Sequence, residues 1–253
     1  MIEINLFIGV MILAFLCEFI DSSLGMGYGT AATPILILIG FPVLDIVPAV
    51  LLSELITGLL SGLAHHSIGN VNFSLRSLHT RVLVVLSICS ILGTVIAVAI
   101  AINLPKNILN LYIGLLVLIM GIIVFATRNK TFKFSWKKII TLGSIAAFNK
   151  GMSGGGYGPV VMSGQVLSGV NDKSAVGITS VSEGLTSAVG LVTFICLGSI
   201  INLELAMPMV IGATFAVPIA AYTTKRISSL ILKRSIALLT IVLGLITIIK
   251  LFI

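Results

Sequence analysis

Residues 25–57 read GMGYGTAATPILILIGFPVLDIVPAVLLSELIT, and the pattern returns without a gap at residues 154–186 as GGGYGPVVMSGQVLSGVNDKSAVGITSVSEGLT. Ten positions are identical between the two copies: Gly25, Gly27, Tyr28, Gly29, Leu38, Gly40, Val47, Ser53, Glu54 and Thr57 match Gly154, Gly156, Tyr157, Gly158, Leu167, Gly169, Val176, Ser182, Glu183 and Thr186. An internal repeat in a hydrophobic chain is typical of a membrane protein built from two related halves, and matching glycine-rich interruptions indicate its binding site. The repeat therefore predicts both the class of the protein and the place of its site.

The composition places this chain in a lipid bilayer. It is 58% hydrophobic and 9% charged, with a mean hydropathy of +1.22, whereas a soluble domain carries about 25% charged residues. Ten apolar stretches fill it, at about 4–20, 28–40, 44–64, 82–102, 108–126, 139–148, 157–169, 174–197, 205–221 and 235–249. Because a membrane span needs roughly 20 apolar residues, the short stretches 28–40, 139–148 and 157–169 are half-helices, re-entrant hairpins or helices that continue into a glycine-rich stretch. We predict an all-α polytopic membrane protein with a single transmembrane domain over residues 1–253.

Several other classes are disfavoured by the same composition. The net charge of +7 does not indicate nucleic-acid binding, because most basic residues lie between apolar segments, where they set membrane orientation. Residues 1–5 contain an acid and no base, so we expect the opening segment to remain part of the fold rather than to be a cleaved signal peptide. The three cysteines stand alone in apolar stretches, which favours packing. Neither a metal site nor a cofactor is predicted.

Basic residues in the loops predict the orientation of the two halves. They concentrate in three places: the 128–138 linker (Arg128, Lys130, Lys133, Lys137 and Lys138), the last loop (Lys225, Arg226, Lys233 and Arg234) and the 65–81 loop (Arg76 and Arg81, with His65, His66 and His79). The counterpart loops 198–204 and 103–107 are nearly free of bases. The pattern predicts two inverted-topology repeats of about five hydrophobic elements each, repeat 1 over 1–127 and repeat 2 over 139–253, with a cytoplasmic linker and both termini outside.

Each glycine stretch is predicted to be a helix break followed by a helix N-terminus. Glycine adopts backbone conformations that a helix interior excludes, and Pro159 suits the first position of a helix. Non-helical backbone at membrane depth should face a cavity, where free amides and the helix dipole attract an anion. The alternative is that the glycines only allow close helix packing. The duplicated Gly-Tyr-Gly favours a site, with Ser23 and Ser153 as hydroxyl donors.

Ionisable residues inside the apolar stretches are functional candidates, because they are costly at that depth. They are Glu18, Asp21, Glu54, Lys150 and Glu183. Asp21 and Lys150 occupy equivalent repeat positions, and two readings stay open: the two side chains pair, or Lys150 meets an anionic substrate. Glu54 and Glu183 each begin a Glu-x-x-Thr pattern, ending at Thr57 and Thr186, that puts both groups on one helix face. Such a face either lines a polar path and holds a proton, or bonds the broken backbone.

At these motifs the chain resembles the sulfite exporter TauE/SafE family of small bacterial and archaeal membrane proteins. The resemblance covers almost the whole chain and rests on residues 25–29 with Pro34, residues 154–158, the two Ser-Glu helices, and Gly69 or Gly198 opening the next loop. It departs at Met26, where a glycine run is commoner. The resemblance implies secondary transport of small sulfur-containing anions, such as sulfite or sulfonates, across the plasma membrane.

We therefore predict a secondary transporter that moves a small inorganic or organosulfur anion by alternating access, with a proton or sodium ion as coupling partner. The alternative is an anion channel with a continuous polar pore, whereas an enzyme is disfavoured because neither a nucleophile with a base nor a metal constellation stands out. The predicted substrate-binding residues are Ser23, Gly25, Gly27, Tyr28, Gly29, Lys150, Ser153, Gly154, Gly155, Gly156, Tyr157 and Gly158. The predicted coupling or gating residues are Asp21, Glu54, Thr57, Glu183 and Thr186. Substrate identity, direction and oligomeric state are left open.

Overall fold

The computed structural model describes residues 4–127, 135–224, 226, 238 and 241–250, which form helices and contain no β-strand. The helices with defined bounds in these ranges are α1 (Ile4–Leu24), α2 (Tyr28–Ile39), α3 (Val43–Ser67), α4 (Leu78–Ala101), α5 (Lys106–Thr127), α6 (Trp136–Ser153), α7 (Tyr157–Leu167), α8 (Asp172–Cys196) and α9 (Leu203–Thr223). A further helical stretch covers residues 241–249. Arg128, Lys130, Lys133, Lys225, Lys233 and Arg234, together with residues 1–3 and 251–253, lie outside the described residues.

Six of the described helices are long and apolar enough to cross a membrane. They are α1, α3, α4, the Lys106–Ile123 part of α5, α8 and α9. The predicted all-α polytopic class is confirmed. The short stretch 28–40 is a helix of 12 residues, α2, and the stretch 157–169 is a helix of 11 residues, α7, so both are too short for a full crossing.

The repeat found in the sequence is also a repeat of helices. Helices α3 and α8 have 25 residues each and occupy equivalent positions, as do the starts of α2 and α7 at Tyr28 and Tyr157. All the described residues with positive φ are glycines, and they form four repeat-related pairs: Gly25 with Gly154, Gly27 with Gly156, Gly40 with Gly169, and Gly69 with Gly198. Side chains with a Cβ rarely adopt this conformation. The shared glycines therefore place the same chain reversals in both halves.

Helices α3 and α8 pack against each other in opposite directions along the centre of the molecule. From one end of this seam to the other, the Ser187 hydroxyl donates to Glu54 over 3.4 Å, and the Ser61 hydroxyl donates to Ser180 over 3.1 Å. Between these bonds a Cβ added at Gly58 would lie 2.5 Å from the Ser180 carbonyl oxygen. Small residues thus let the two backbones approach closely, as is common between membrane helices.

The outer helices exchange partners between the two repeats. Helix α1 packs mainly on α9, and α6 packs mainly on α4. In the second pair Gly143 lies beside Leu86 and Gly151 beside Ala97, so α4 and α6 run parallel. Each repeat therefore completes its packing with helices of the other.

The helix ends divide between two faces of the molecule. On the first face the Asn70 amide donates to the Ala221 carbonyl over 3.3 Å, and the Ser174 hydroxyl donates to the Asn70 carbonyl over 3.1 Å. On the second face the Asn202 amide donates to the Asp45 carboxylate over 3.3 Å. Because α4 and α6 run parallel, the described part of the linker joins the first face. The 65–81 loop, the described part of the linker and the end of α9 therefore lie on one face.

The chain reverses direction between α1 and α2. Glu18 accepts a hydrogen bond from Thr57 over 3.0 Å, and the Ser22 carbonyl lies 2.8 Å from His65 Nε2, so α1 follows the C-terminal half of α3 in the same direction. Helix α2 runs the opposite way, because Tyr28 bonds Ser53 and the helix then ends in the turn that leads to Val43. Helices α1 and α2 together thus return the chain to the face from which α1 started.

Candidate functional site

The first helix break puts carboxylates on the free amides of α2. Helix α1 ends at Leu24 and α2 begins at Tyr28, after Gly27 with φ of 135°. The Tyr28 amide donates to Asp21 Oδ1 and the Gly29 amide donates to Glu54 Oε1, each over 3.3 Å. A helix N-terminus is a general anion site. Here two side-chain carboxylates take that position.

The second break caps its amides with neutral hydroxyl groups instead. Helix α6 ends at Ser153 and α7 begins at Tyr157. The Gly156 amide donates to the Thr30 hydroxyl over 3.0 Å, and the Gly155 amide donates to the Ser153 hydroxyl over 3.1 Å. Both predicted breaks followed by helix starts are confirmed. Pro159 is the third residue of α7 rather than its first, because the helix begins two residues earlier than predicted.

The two breaks touch each other through their backbones. A Cβ added at Gly29 would overlap the Gly154 carbonyl group, and one at Gly155 would lie 2.7 Å from the Gly29 carbonyl oxygen. On the other side, a Cβ at Gly158 would lie 2.8 Å from the Gly25 carbonyl oxygen. Only glycine permits an approach this close. The glycines that the sequence assigned to two separate copies therefore form one structural unit.

Lys150 lies at the junction of these breaks, between one carboxylate from each repeat. Its side chain is completely buried, while Glu54 is 2% and Glu183 5% exposed. The Lys150 ammonium bonds Glu54 Oε2, and it bonds Glu183 Oε1 over 2.8 Å. Glu183 Oε2 has no hydrogen-bond partner although it is buried. The three side chains form an ion triad that joins α3, α6 and α8.

A second group of buried acids lies beside the triad. Glu18 accepts hydrogen bonds from Ser22 over 2.5 Å and from Thr57 over 3.0 Å, and it is 1% exposed. Asp21 is 6% exposed and accepts from the Tyr28 amide. Together with Glu54 and Glu183 they make four buried carboxyl groups near one described ammonium group, which bonds the latter two. Because uncompensated buried charge is costly, this arrangement is suited to taking up a proton.

Most other site residues predicted from the sequence also lie near the breaks. Tyr28 donates to the Ser53 hydroxyl over 2.7 Å, whereas the Ser23 hydroxyl is buried without a partner. The Tyr157 hydroxyl lies near the hydroxyl groups of Ser182, Thr186 and Ser90 without a well-formed hydrogen bond. Thr186 shares a 2.5 Å hydrogen bond with Ser90. The sequence left open whether Lys150 pairs with Asp21 or meets an anionic substrate. In the structure the Lys150 ammonium bonds Glu54 and Glu183, and Asp21 accepts a hydrogen bond from the Tyr28 amide.

Several residues of the site escaped the sequence reasoning. Thr30 caps the opposite break, Ser187 donates to Glu54, and Tyr112 donates to Asn149 over 2.6 Å next to Lys150. Glu18 was singled out as an intramembrane charge, but its link to Thr57 was not foreseen. Their common signal is a polar residue within an apolar run, which is expensive to bury unless it is hydrogen-bonded.

His65 belongs to the last turn of α3 rather than to the loop to which the sequence assigned it. The side chain is fully buried. Its Nε2 lies 2.8 Å from the Ser22 carbonyl and its Nδ1 lies 2.9 Å from the Asn70 amide nitrogen, so the ring ties the end of α3 to α1. Among the described residues, no group of three His, Cys, Asp or Glu side chains is arranged to hold a metal ion.

Two comparisons with known proteins bear on this site. The family model described as "Sulfite exporter TauE/SafE" matches residues 10–247. The chain is also 30% identical to "Probable membrane transporter protein YtnM" of Bacillus subtilis (strain 168), in an alignment that covers 83% of this chain and 72% of that protein. The matched range contains both helix breaks and all three residues of the ion triad.

Proposed function

Because the chain belongs to the sulfite exporter TauE/SafE family, we propose that it is a secondary transporter that carries a small sulfur-containing anion across the plasma membrane by alternating access. The observation that carries this proposal is the burial of Lys150 where the two helix breaks meet. An intramembrane ammonium at helix N-termini offers charge to an anion. The family and its relative are membrane transporters, and no enzymatic activity is proposed.

The present partners of Lys150 indicate how an anion would enter. Glu54 accepts from the Lys150 ammonium, from the Gly29 amide and from the Ser187 hydroxyl. A sulfite or sulfonate group presents the same kind of acceptor oxygen atoms. The substrate therefore replaces Glu54 on these donors, and the carboxylate holds the site together in the unloaded carrier. Amides at residues 27–29 and 156–158, with Ser23 and Ser153, complete the proposed substrate shell.

The excess of carboxyl groups supports coupling to a proton or a sodium ion. When an anion joins the triad, one positive charge must enter with it or a carboxylate must be neutralised, because the site is shielded from water. Glu54 and Glu183 are the proposed coupling residues. Asp21, Thr57 and Thr186 surround them and form the proposed gate.

An inverted-topology repeat is proposed as the basis of alternating access. It is supported by the antiparallel packing of the equivalent helices α3 and α8. It is also supported by the packing of α1 on α9 and of α6 on α4, which joins a helix of one half to a helix of the other in each case. Positive charge on the described part of the first face supports a cytoplasmic orientation of that face. Labelling of single cysteines in the 128–138 loop of intact cells tests this. We expect no reaction with an impermeant reagent until the cells are opened, and reaction in intact cells reverses the orientation.

The transport activity is tested with purified protein in proteoliposomes. We expect saturable counterflow of one or more labelled anions from a panel of sulfite, thiosulfate, sulfonates and carboxylates, with acceleration by a proton or sodium gradient. Lys150→Ala and Gly156→Leu should remove this flux, while Lys173→Ala, an exposed lysine at the start of α8, should retain it. Flux that does not saturate and ignores a counter-gradient supports a channel. Unchanged counterflow in both site variants excludes the proposed site.

A further inference from the structure

A polar cavity lies on the second face, at the other end of α2 from the ion triad. It measures about 260 Å³ and is lined by the end of α2, the start of α5 and the 241–250 segment. The lining residues that matter below are Gly40, Lys106, Asn107, Asn110, Thr247 and Lys250. Two of the described lining residues carry a positive charge and none carries a negative one. The cavity is therefore electrostatically suited to an anion.

The two lysines reach the cavity from different segments. Lys106 is the first residue of α5, so its charge adds to the positive end of that helix dipole. The Lys250 ammonium donates one hydrogen bond to the Leu38 carbonyl over 2.8 Å. An ammonium group carries three donors, so two remain for a ligand. This bond holds Lys250 at the end of α2, next to the cavity.

Asn110 adds a requirement that a simple anion does not meet. Its side chain is 7% exposed, and its Oδ1 atom is buried without a hydrogen-bond partner. An unpaired buried acceptor is unfavourable, and an anionic oxygen cannot satisfy it. A ligand that fits therefore carries a hydrogen-bond donor as well as negatively charged oxygen atoms.

We infer that this cavity binds an oxyanion that carries its own hydrogen-bond donor. The anionic oxygens accept from Lys106 and Lys250, and the donor bonds Asn110 Oδ1. Two sources offer this chemistry: a free hydrogen oxyanion such as hydrogenphosphate, or the phosphoethanolamine head group of a lipid. Ile39 and Ile108 beside the cavity are each 52% exposed, so the bilayer has access to it. The site is separate from Lys150 and does not depend on the proposed transport.

The two sources are distinguished by matched ligand pairs on the full-length protein. For the free anion, hydrogenphosphate and sulfate are compared at equal ionic strength near pH 7.5 by equilibrium dialysis, because sulfate has no proton to donate at this pH. For the lipid, phosphatidylethanolamine and phosphatidylcholine are compared by native mass spectrometry of delipidated protein, because the choline group has no N–H donor. We expect at least a fivefold preference for the donor-bearing member of one pair.

Variants then assign the binding to this cavity. Lys106→Gln combined with Lys250→Gln should weaken the preferred ligand at least tenfold, and Asn110→Ala should abolish the preference within the pair. Lys173→Gln, on the opposite face, is the matched control and should bind as the parent protein does. Because both cavity lysines are exposed, their variant is expected to fold even if Asn110→Ala does not. Binding of neither pair with a preference, or unchanged binding in the lysine variant, overturns the inference.

Discussion

The two helix breaks have the same backbone but opposite chemistry. In the first break the helix amides bond the carboxylates of Asp21 and Glu54, and Tyr28 is paired with Ser53. In the second break the amides bond hydroxyl groups, and the Tyr157 hydroxyl lies near other hydroxyl groups without a well-formed hydrogen bond. The amides of the first break are thus satisfied by acids of the same repeat, whereas those of the second break bond uncharged hydroxyl groups.

The difference begins in the helices that precede the breaks. Glu18 and Asp21 of α1 correspond to Ala147 and Lys150 of α6 in the repeat alignment. Two acids in one copy are therefore replaced by a small residue and a base in the other. Duplication preserved the glycines that shape the backbone, while substitution divided the acceptors and the donor between the halves. The two halves of the candidate site therefore differ in charge although their backbones are repeated.

The largest expected effect comes from removing the only described cation of the junction. Lys150→Met should lower the free energy of unfolding by about 3–5 kcal/mol, because it leaves two buried carboxylates without their partner. Transport should fall at least about a hundredfold, or roughly 3 kcal/mol of transition-state stabilisation. Thermal unfolding in detergent and counterflow in proteoliposomes measure the two losses.

The rescue variant separates stability from transport in this experiment. Adding Glu54→Gln and Glu183→Gln to Lys150→Met should restore most of the unfolding free energy without restoring counterflow. If this triple variant transports like the parent, the ammonium has no part in substrate binding. If Lys150→Met alone unfolds at the parental temperature, the ion triad contributes nothing to stability.

A smaller effect is expected from crowding the contact between the breaks. Gly29→Ala should cost about 3 kcal/mol, near the upper end for overpacking, because its Cβ meets the rigid backbone at Gly154. Gly158→Ala should cost less, about 1–2 kcal/mol, because its nearest neighbour would be at 2.8 Å. Gly9→Ala in α1, with open space around it, is the control. Equal unfolding temperatures for the Gly29 and Gly158 variants would remove this difference between the repeats.

The smallest effect is expected from the two repeat-related tyrosines. Tyr28→Phe should lower stability by about 1 kcal/mol, because it removes the hydrogen bond to Ser53. Tyr157→Phe should leave stability within about 0.5 kcal/mol of the parent, because its hydroxyl lies near Ser182, Thr186 and Ser90 but has no well-formed hydrogen bond to lose. The KM for the transported anion should rise only in the Tyr157 variant if that hydroxyl serves the substrate. A larger loss of stability in the Tyr157 variant than in the Tyr28 variant would contradict this difference between the repeats.

The backbone of the site could be predicted from the sequence. Glycine at matching positions is a local signal, since positive φ and helix termination depend on the residue itself and its neighbours. The breaks at residues 25–27 and 154–156, the helix starts that follow them and the all-helical class were therefore accessible. The position of the 65–81 loop, the described part of the linker and the end of α9 on one face was accessible too, because it follows from the number of intervening segments.

The side-chain partners could not be predicted in this way. Repeat alignment puts Asp21 and Lys150 in equivalent positions, but equivalent residues are not neighbours when a seam of other helices separates them. Lys150 bonds Glu54 because α3, α6 and α8 converge, and Thr30 bonds Gly156 because the breaks touch. Helical periodicity indicates which face a residue occupies, but it does not identify the helix opposite. The contact of His65 with the Ser22 carbonyl was missed because Ser22 belongs to a helix far earlier in the chain.

The exchange of outer helices constrains how the protein is made. Helix α1 leaves the ribosome long before its main packing partner, α9, which begins only at Leu203. At about 5–20 residues per second, α1 waits on the order of ten seconds or more in the membrane before that partner is synthesised. During this interval its buried acids, Glu18 and Asp21, also lack the second half of the protein. The first repeat alone is therefore expected to be a target for membrane quality control, and co-expression of the second repeat as a separate chain is expected to protect it.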